Sequence, residues 1–429
     1  MNNNLSPHKL IGISWDKNWE KIRFKRGVQL INEKAENIFN YVGLENVESW
    51  TGKLTNNITK SIEEDAATAD RFYAGNVLFG KLRPYLAKTF VAQEDGCCTP
   101  ELLVFRPLHY DSNYLKYLLL TTDFVYLVNS STYGVKMPRA NWEFIGNISI
   151  PKPPLSVQQA IASFLDRKTA AIDTLIAKKQ RLIQLLEQKR TAFINQAVTK
   201  GLNPKVPMKD SGIPWIGYIP GHWKIMRLKF LTARVTSGSR GWAQYYSEQG
   251  AIFIRINNLS RKSIELNLKD IQYVQPPLDA EGERSRVQLG DLLISVTAYI
   301  GTVGVVTQDL GEAYVNQHVA LTRPRQDLVN PQWLGLYLFA SAGQHQFNAL
   351  LDGSTKDGLG LEDIKNLFAL VPPRKEQLEI VDLLSLQISR TAKLINTVSE
   401  QIKKLQEYRQ SLITAAVTGK IDIREEVAA

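Results

Sequence analysis

Cysteine is nearly absent. Cys97 and Cys98 are the only two, and they are neighbours. Adjacent thiols lack the spacing of a zinc site or a disulfide framework, so they read as reduced and structural. No run of 18 apolar residues occurs, so no stretch reads as a membrane span. The opening MNNNLSPHKL has no apolar signal core, which makes a cytoplasmic protein the expectation. The five histidines (His8, His109, His222, His318, His345) are scattered, with no HExxH or Cys/His cluster to hold a metal. Of these, His318 in Asn316-Gln317-His318 reads as a polar strand end rather than a catalytic group. There is no GxxxxGK[ST] phosphate loop. There is also no Asn-Pro-Pro-Tyr or Asp-Pro-Pro-Tyr tetrad, because the three Pro-Pro pairs follow Lys152, Gln275 and Val371. Glu187-Gln-Lys189 has the form of a nuclease ExK, but it falls within a helical pattern and no Pro-Asp precedes it. The chain reads as non-catalytic.

What is present is charge, length and repetition. The 429 residues exceed one ordinary core, so two or three domains are expected. Hydrophobic residues make up 44% and charged residues 22%, values of a globular rather than a disordered chain. The net charge of +10 points toward a polyanionic partner, most often nucleic acid.

The repeat is direct. PPLSVQQAIASFL begins at Pro153, and PPRKEQLEIVDLL begins at Pro372, 219 positions later. The same offset carries Gln158 onto Gln377, Arg190 onto Arg409, and Ala197-Val198-Thr199 onto Ala416-Val417-Thr418. In both copies a narrow apolar stripe recurs at spacings of three, four and seven, the signature of a long helix. Ser156 with Gln159 gives a capping-box start, and Gly201 and Gly419 mark the ends. Such a helix is about 65–70 Å long and needs a partner for its stripe. The pattern predicts a coiled-coil helix pair, with Ile161, Leu165, Ile172, Leu175, Leu186, Ile380, Leu384, Leu394, Ile402 and Leu405 on the pair or on a partner interface. Lys168, Lys179, Gln387 and Arg409 interrupt the seams, as register-fixing polar residues do.

The intervening segments also correspond, more loosely. Trp19-Glu-Lys-Ile-Arg23 matches Trp223-Lys-Ile-Met-Arg227, and Gly75-Asn-Val-Leu-Phe79 matches Gly290-Asp-Leu-Leu-Ile294. Short β-branched runs punctuated by Gly, Asn and Asp read as strands joined by turns. The predicted fold is therefore α+β: two α/β domains separated by two long antiparallel coiled-coil helices, as a pseudo-two-fold repeat. The expected boundaries are a first domain over 1–152, a helix over 153–201, a second domain over 202–371, and a terminal helix over 372–429. A domain of this size is roughly 40 Å across by the compactness rule. On B-DNA one helical turn is about 34–36 Å, so two such domains would read half-sites about one turn apart, with an unread gap.

Several loops mix basic, aromatic and amide side chains suited to phosphates and base edges. The candidates for DNA contact are Lys81, Arg83, Tyr85, Lys136, Arg139, Arg240, Trp242, Gln244, Arg255, Asn257 and Lys356. For any one of them the plainer reading is a solvated surface or turn residue. The inference rests on the loops as a set.

Together these stretches carry a resemblance. The paired PP…Q…helix motifs, the AVTKG and AVTGK helix ends, DSGIPWIGYIPGHW at Asp210–Trp223, and GNVLFGKLRPYL at Gly75–Leu86 resemble the specificity subunit of type I restriction–modification enzymes. The resemblance spans essentially the whole chain, although the first half opens with a divergent HKLIGISWDKNWEKIRF. It implies two target-recognition domains, each reading one half of a split site on double-stranded DNA. It implies helices that dock two modification (methyltransferase) subunits, and further restriction (endonuclease/translocase) subunits. The implied cofactors, S-adenosylmethionine on the modification subunit and ATP with Mg on the restriction subunit, belong to partners; none is expected on this chain. A non-catalytic coiled-coil scaffold with incidental basic charge is the alternative, and it predicts no salt-dependent DNA affinity.

Overall fold

The computed structural model describes residues 19–55, 69–134, 136–238, 240–276, 280–352, 358–421 and 423. Two helices dominate: α1 (Leu155–Lys200) and α2 (Arg374–Val417), of 46 and 44 residues. The chain divides into two compact units. One comprises residues 1–181 with 398–429, and the other residues 182–397. Each unit therefore holds a globular domain, the first part of one long helix and the last part of the other. Among the described residues no helix is long and apolar enough to cross a membrane.

In the first unit β1 (Val28–Ile31), β2 (Val77–Gly80), β3 (Thr89–Val91) and β4 (Leu102–Pro107) form an antiparallel sheet in the order β1-β4-β2-β3. In the second unit β5 (Thr232–Ser237), β6 (Leu292–Ser295), β7 (Val303–Val305) and β8 (Val319–Pro324) repeat it as β5-β8-β6-β7. The repeated Gly-Asn/Asp motif has a physical cause. Gly75 and Gly290 take positive φ, 84° and 89°, in the turn that enters the second strand of each sheet. In the next position, Asn76 accepts from the Tyr73 amide and Asp291 from the Gln288 amide, which closes that turn.

The proline-pair motif is also explained. Gln158 and Gln377 are buried one turn into α1 and α2. The Gln158 amide donates to the carbonyls of Pro153 and His109, and its oxygen accepts from the Asp111 amide. Gln377 does the same with Pro372, Leu328 and Asn330. Asp111 and Asn330 are the N-caps of the short helices Ser112–Leu119 and Pro331–Phe339. Each glutamine thus rivets the start of a long helix to the cap of a domain helix. Replacing Gln377 with alanine is expected to leave these groups unpaired and to cost about 2 kcal/mol in urea unfolding; an unchanged midpoint would contradict the rivet.

Within the first unit α1 and α2 run antiparallel. Asp173 meets Arg409 at 2.9 Å, and six residues further along α1 Lys179 donates to Gln401. Ile161, Leu165 and Ile172 are buried there. Ile380 and Leu384 are buried in the core of the second unit with Ile194 and Val198. Leu186, Ile402 and Leu405 are half-buried. Leu175 and Leu394 depart from the expected helix-pair seam, at 43% and 53% exposure. Their neighbours Ile176 and Ile395 are the half-buried ones. A period of 3.6 lets only one of two adjacent apolar residues face a narrow seam.

Cys97 and Cys98 are both free and buried, on the strand Gly96–Cys98. Burial pushes both thiols above their ordinary pKa, Cys98 far more than Cys97. They are poor nucleophiles.

Candidate nucleic-acid interface

In the first unit β2 ends at Gly80, and the chain turns back through Lys81–Lys88 before β3. That turn is zipped to a second loop. The Arg83 amide donates to Pro138 O at 2.7 Å, the Ala140 amide to Lys81 O, and the Lys81 amide to Glu101 O. Tyr133 and Arg139 exchange backbone hydrogen bonds at the base of the second loop. Arg83 and Ala87 hold φ of 49° and 46°, left-handed conformations that cost a non-glycine residue on the order of 1 kcal/mol each. Such strain persists where the surroundings enforce it, and it clusters at functional sites.

The paired loops bring Lys81, Arg83, Tyr85 and Lys136 together. Arg83, Tyr85 and Lys136 are exposed and Lys81 is half-buried. Tyr133 and Met137, exposed at 63% and 47%, join them. Arg139 has a different role from the expected contact. Its Nε and Nη2 donate to Glu101 at 3.2 and 2.9 Å, so its guanidinium braces the platform. The sequence reading also missed a stack of alternating rings and guanidinium groups. The Arg71 guanidinium lies 4.5 Å from the Phe39 ring centroid and 5.4 Å from that of Tyr73, and the Arg106 guanidinium lies 5.9 Å from the Tyr73 centroid. An Arg-x-Tyr pair, with Arg71 on the strand Asp70–Phe72 and Tyr73 just past its end, was the available signal.

The second unit builds the same turn from different residues. The Val296 amide donates to His318 O, and the Leu359 amide to Val296 O, matching the partners of Lys81. Tyr299 is left-handed at φ 50° and Gly301 at 78°. The Tyr299 ring is 64% exposed, with the Arg261 guanidinium 5.2 Å from its centroid. His318 precedes β8 and shares a 3.1 Å hydrogen bond with Thr297 Oγ1. Neither Tyr299 nor Arg261 was among the expected contacts.

Of the expected ones, Arg240 and Gln244 are exposed on the turn around Trp242. Trp242 itself is a correction. It is 2% exposed, stacked on Phe253 at 5.7 Å and packed on Tyr314 at 5.3 Å, so it is core rather than contact. Asn257 is exposed on a separate turn. There Arg255 is half-buried, 3.6 Å from Asp270. Lys356 lies outside the described residues.

The sequence matches the type I restriction modification DNA specificity domain over residues 20–185 and 279–404, more than half of the chain. The chain belongs to that family. It is 24% identical over 304 residues to the specificity subunit of the type I restriction enzyme EcoBI from Escherichia coli, covering 68% of this chain and 63% of the relative. It is 23% identical to the MjaVIII specificity subunit of Methanocaldococcus jannaschii, covering 96% and 95%. The fold is also similar to a chain solved in work on complex assembly and conformational transition of the type I R-M system. That match has a TM-score of 0.75 at 18% identity and covers 95% of this chain and 99% of the other. A second similar fold is the HsdS subunit from Thermoanaerobacter tengcongensis, with a TM-score of 0.53 at 19% identity, covering 95% and 98%.

The matched family segments include most of α1 and of α2. The stretch from 186 to 278, which holds Arg240, Gln244, Arg255 and Asn257, falls outside them. Within this family member, framework residues such as Gln158 and Gln377 repeat while the loops diverge. That is the pattern of a constant frame carrying two different sets of loops.

Proposed function

We propose that this chain is the DNA sequence-specificity component of a type I restriction–modification complex, with one domain per half-site of a split target. The observation that carries this reading is the strained, basic and aromatic loop pair around Arg83 and Lys136, built at the same place in its sheet as the Tyr299 turn of the second unit. Exposed cations supply phosphate affinity, and aromatic and amide groups beside them supply contacts to base edges. The two turns share backbone geometry and differ in side chains, so they suit two different half-sites. Lys81, Arg83, Tyr85 and Lys136 are assigned to the first; Arg240, Gln244 and Asn257 to the second, with Arg261 and Tyr299 added.

The exposed leucines of the long helices support docking of modification subunits. Leu175, Leu182 and Leu185 on α1 and Leu386 and Leu394 on α2 are each more than 40% exposed. Large apolar side chains repeated along a helix face favour a protein partner. Methyl transfer from S-adenosylmethionine, and cleavage driven by ATP with Mg, are assigned to the modification and restriction partners. Leu175→Asp is expected to weaken co-purification with the modification subunit about tenfold or more, without changing thermal stability. Unchanged co-purification would remove Leu175 from the docking face.

The experiment for the DNA-reading role is a salt titration of the assembled complex on duplex DNA. Each phosphate contact contributes a slope of about −0.9 to log K against log salt. A steep negative slope is expected; a flat one would favour the scaffold reading.

A further inference from the structure

The two units treat the junction between domain and long helices differently. In the first unit Arg409 of α2 is buried at 6% exposure. Its Nε donates to Asp173 Oδ1 of α1 at 2.9 Å. Its other nitrogens donate to the backbone carbonyls of Trp50 and Thr51 at 2.9 and 3.1 Å. Lys53 closes the set with a 2.7 Å contact to Asp173 Oδ2. Beside it, the Gln410 amide donates to Leu120 O. One guanidinium therefore ties together both long helices and a loop of the first domain, and Trp50 there holds a left-handed φ of 65°.

The repeat offset places Arg190 where Arg409 stands and Ala392 where Asp173 stands. The carboxylate is missing, and among the described residues Arg190 forms no ion pair. Thr191 replaces Gln410, and at this junction a cavity of about 490 Å³ opens between Thr191 and Asn195 of α1 and Arg261, Tyr299 and Gln344. The guanidinium clamp of the first unit has no counterpart at the repeat offset in the second, whose junction is held instead by the Ser341 amide on Asn195 Oδ1 at 2.9 Å, by His222 with Glu376 at 2.7 Å, and by Gln377.

We propose that Arg409 is a positioning residue that locks the first reading domain onto the helix pair and so holds the first half-site in fixed register. The inference rests on the DNA-reading role proposed above. A Lys at 409 would keep charge beside Asp173, but it lacks the planar fork that reaches two carbonyls as well.

The test uses the full chain with its modification subunit in a methylation-free host, on plasmids whose split site has its native gap or a gap one base pair longer or shorter. The wild type is expected to prefer the native gap by about 100-fold, since misplacement by one step disrupts aligned contacts. Arg409→Lys is expected to reduce that preference at least about tenfold, with methylation at the native gap largely kept. A structural role alone would lower methylation at all gaps equally and leave the ratio unchanged, which would overturn the proposal. Ala392→Asp, which supplies the missing partner for Arg190, is expected to sharpen the preference further. If Arg409→Lys fails to accumulate, an unchanged ratio in Ala392→Asp overturns the proposal by itself. A wild-type complex that methylates no split site would instead reject the underlying DNA-reading role.

Discussion

Alanine at Lys81, Arg83 and Lys136 together is expected to weaken DNA binding by the complex about 500-fold near 0.1 M salt. The magnitude follows from counterion release. Each neutralised phosphate contributes a slope of about −0.9, so between 1 M and 0.1 M salt three contacts carry about 2.7 log units. The slope itself should become shallower by about 2.7. All three residues lie on the two hydrogen-bonded loops and, among the described residues, none forms an ion pair, whereas Arg139 is held by Glu101. Arg139→Ala should therefore act through disorder of the platform and not as one more lost phosphate contact. Equilibrium binding across a salt series separates the two. If the triple variant keeps the wild-type slope, these loops do not contact the backbone.

Truncating Trp242 to alanine is expected to destabilise the second unit by about 3–5 kcal/mol, the cost of removing a buried aromatic from a packed site. The indole fills a small satellite core with Ala251, Phe253, Val274 and Tyr314. Its Nε1 is buried and has no hydrogen-bond partner among the described residues. Trp242→Phe keeps a ring on Phe253 and removes that unpaired donor, so its cost should stay below about 2 kcal/mol. Urea unfolding of both variants decides this. Trp242→Ala at wild-type stability but with weakened DNA binding would return Trp242 to the contact surface.

Trp242 also marks how far the sequence could be read. The long helices were legible because their period is local and their motif is written twice, 219 positions apart. Gln158 and Gln377 were visible as repeated letters, but their role was not, since their partners Asp111 and Asn330 lie 47 residues upstream in each case. Trp242 sits between Arg240 and Gln244, which gave it the look of a contact. Its burial depends on Phe253 and Tyr314, and a local pattern does not report a neighbour 72 positions away. Leu175 and Ile176 compete for one seam, and a small phase difference selects Ile176. Arg409 read as a polar break in a stripe. Its meaning lies in two carbonyls more than 350 residues away in sequence.

The same reasoning explains which candidate contacts held together. Lys81, Arg83 and Tyr85 share one turn by chain connectivity, and Lys136 reaches them through the backbone bonds of Pro138 and Ala140. In the second unit, turns far apart in sequence supply the exposed groups, and Arg261 with Tyr299 came into view only through the fold. Loops that must differ between half-sites carry no repeat to find them by.

The most direct measurement is to express this chain with its modification subunit in a methylation-free host and map modified adenines across the genome. The account predicts one split motif with a fixed gap, and a change in only one half when one domain is exchanged. Assembled complex with no modified motif, or a continuous motif unaffected by domain exchange, would contradict it.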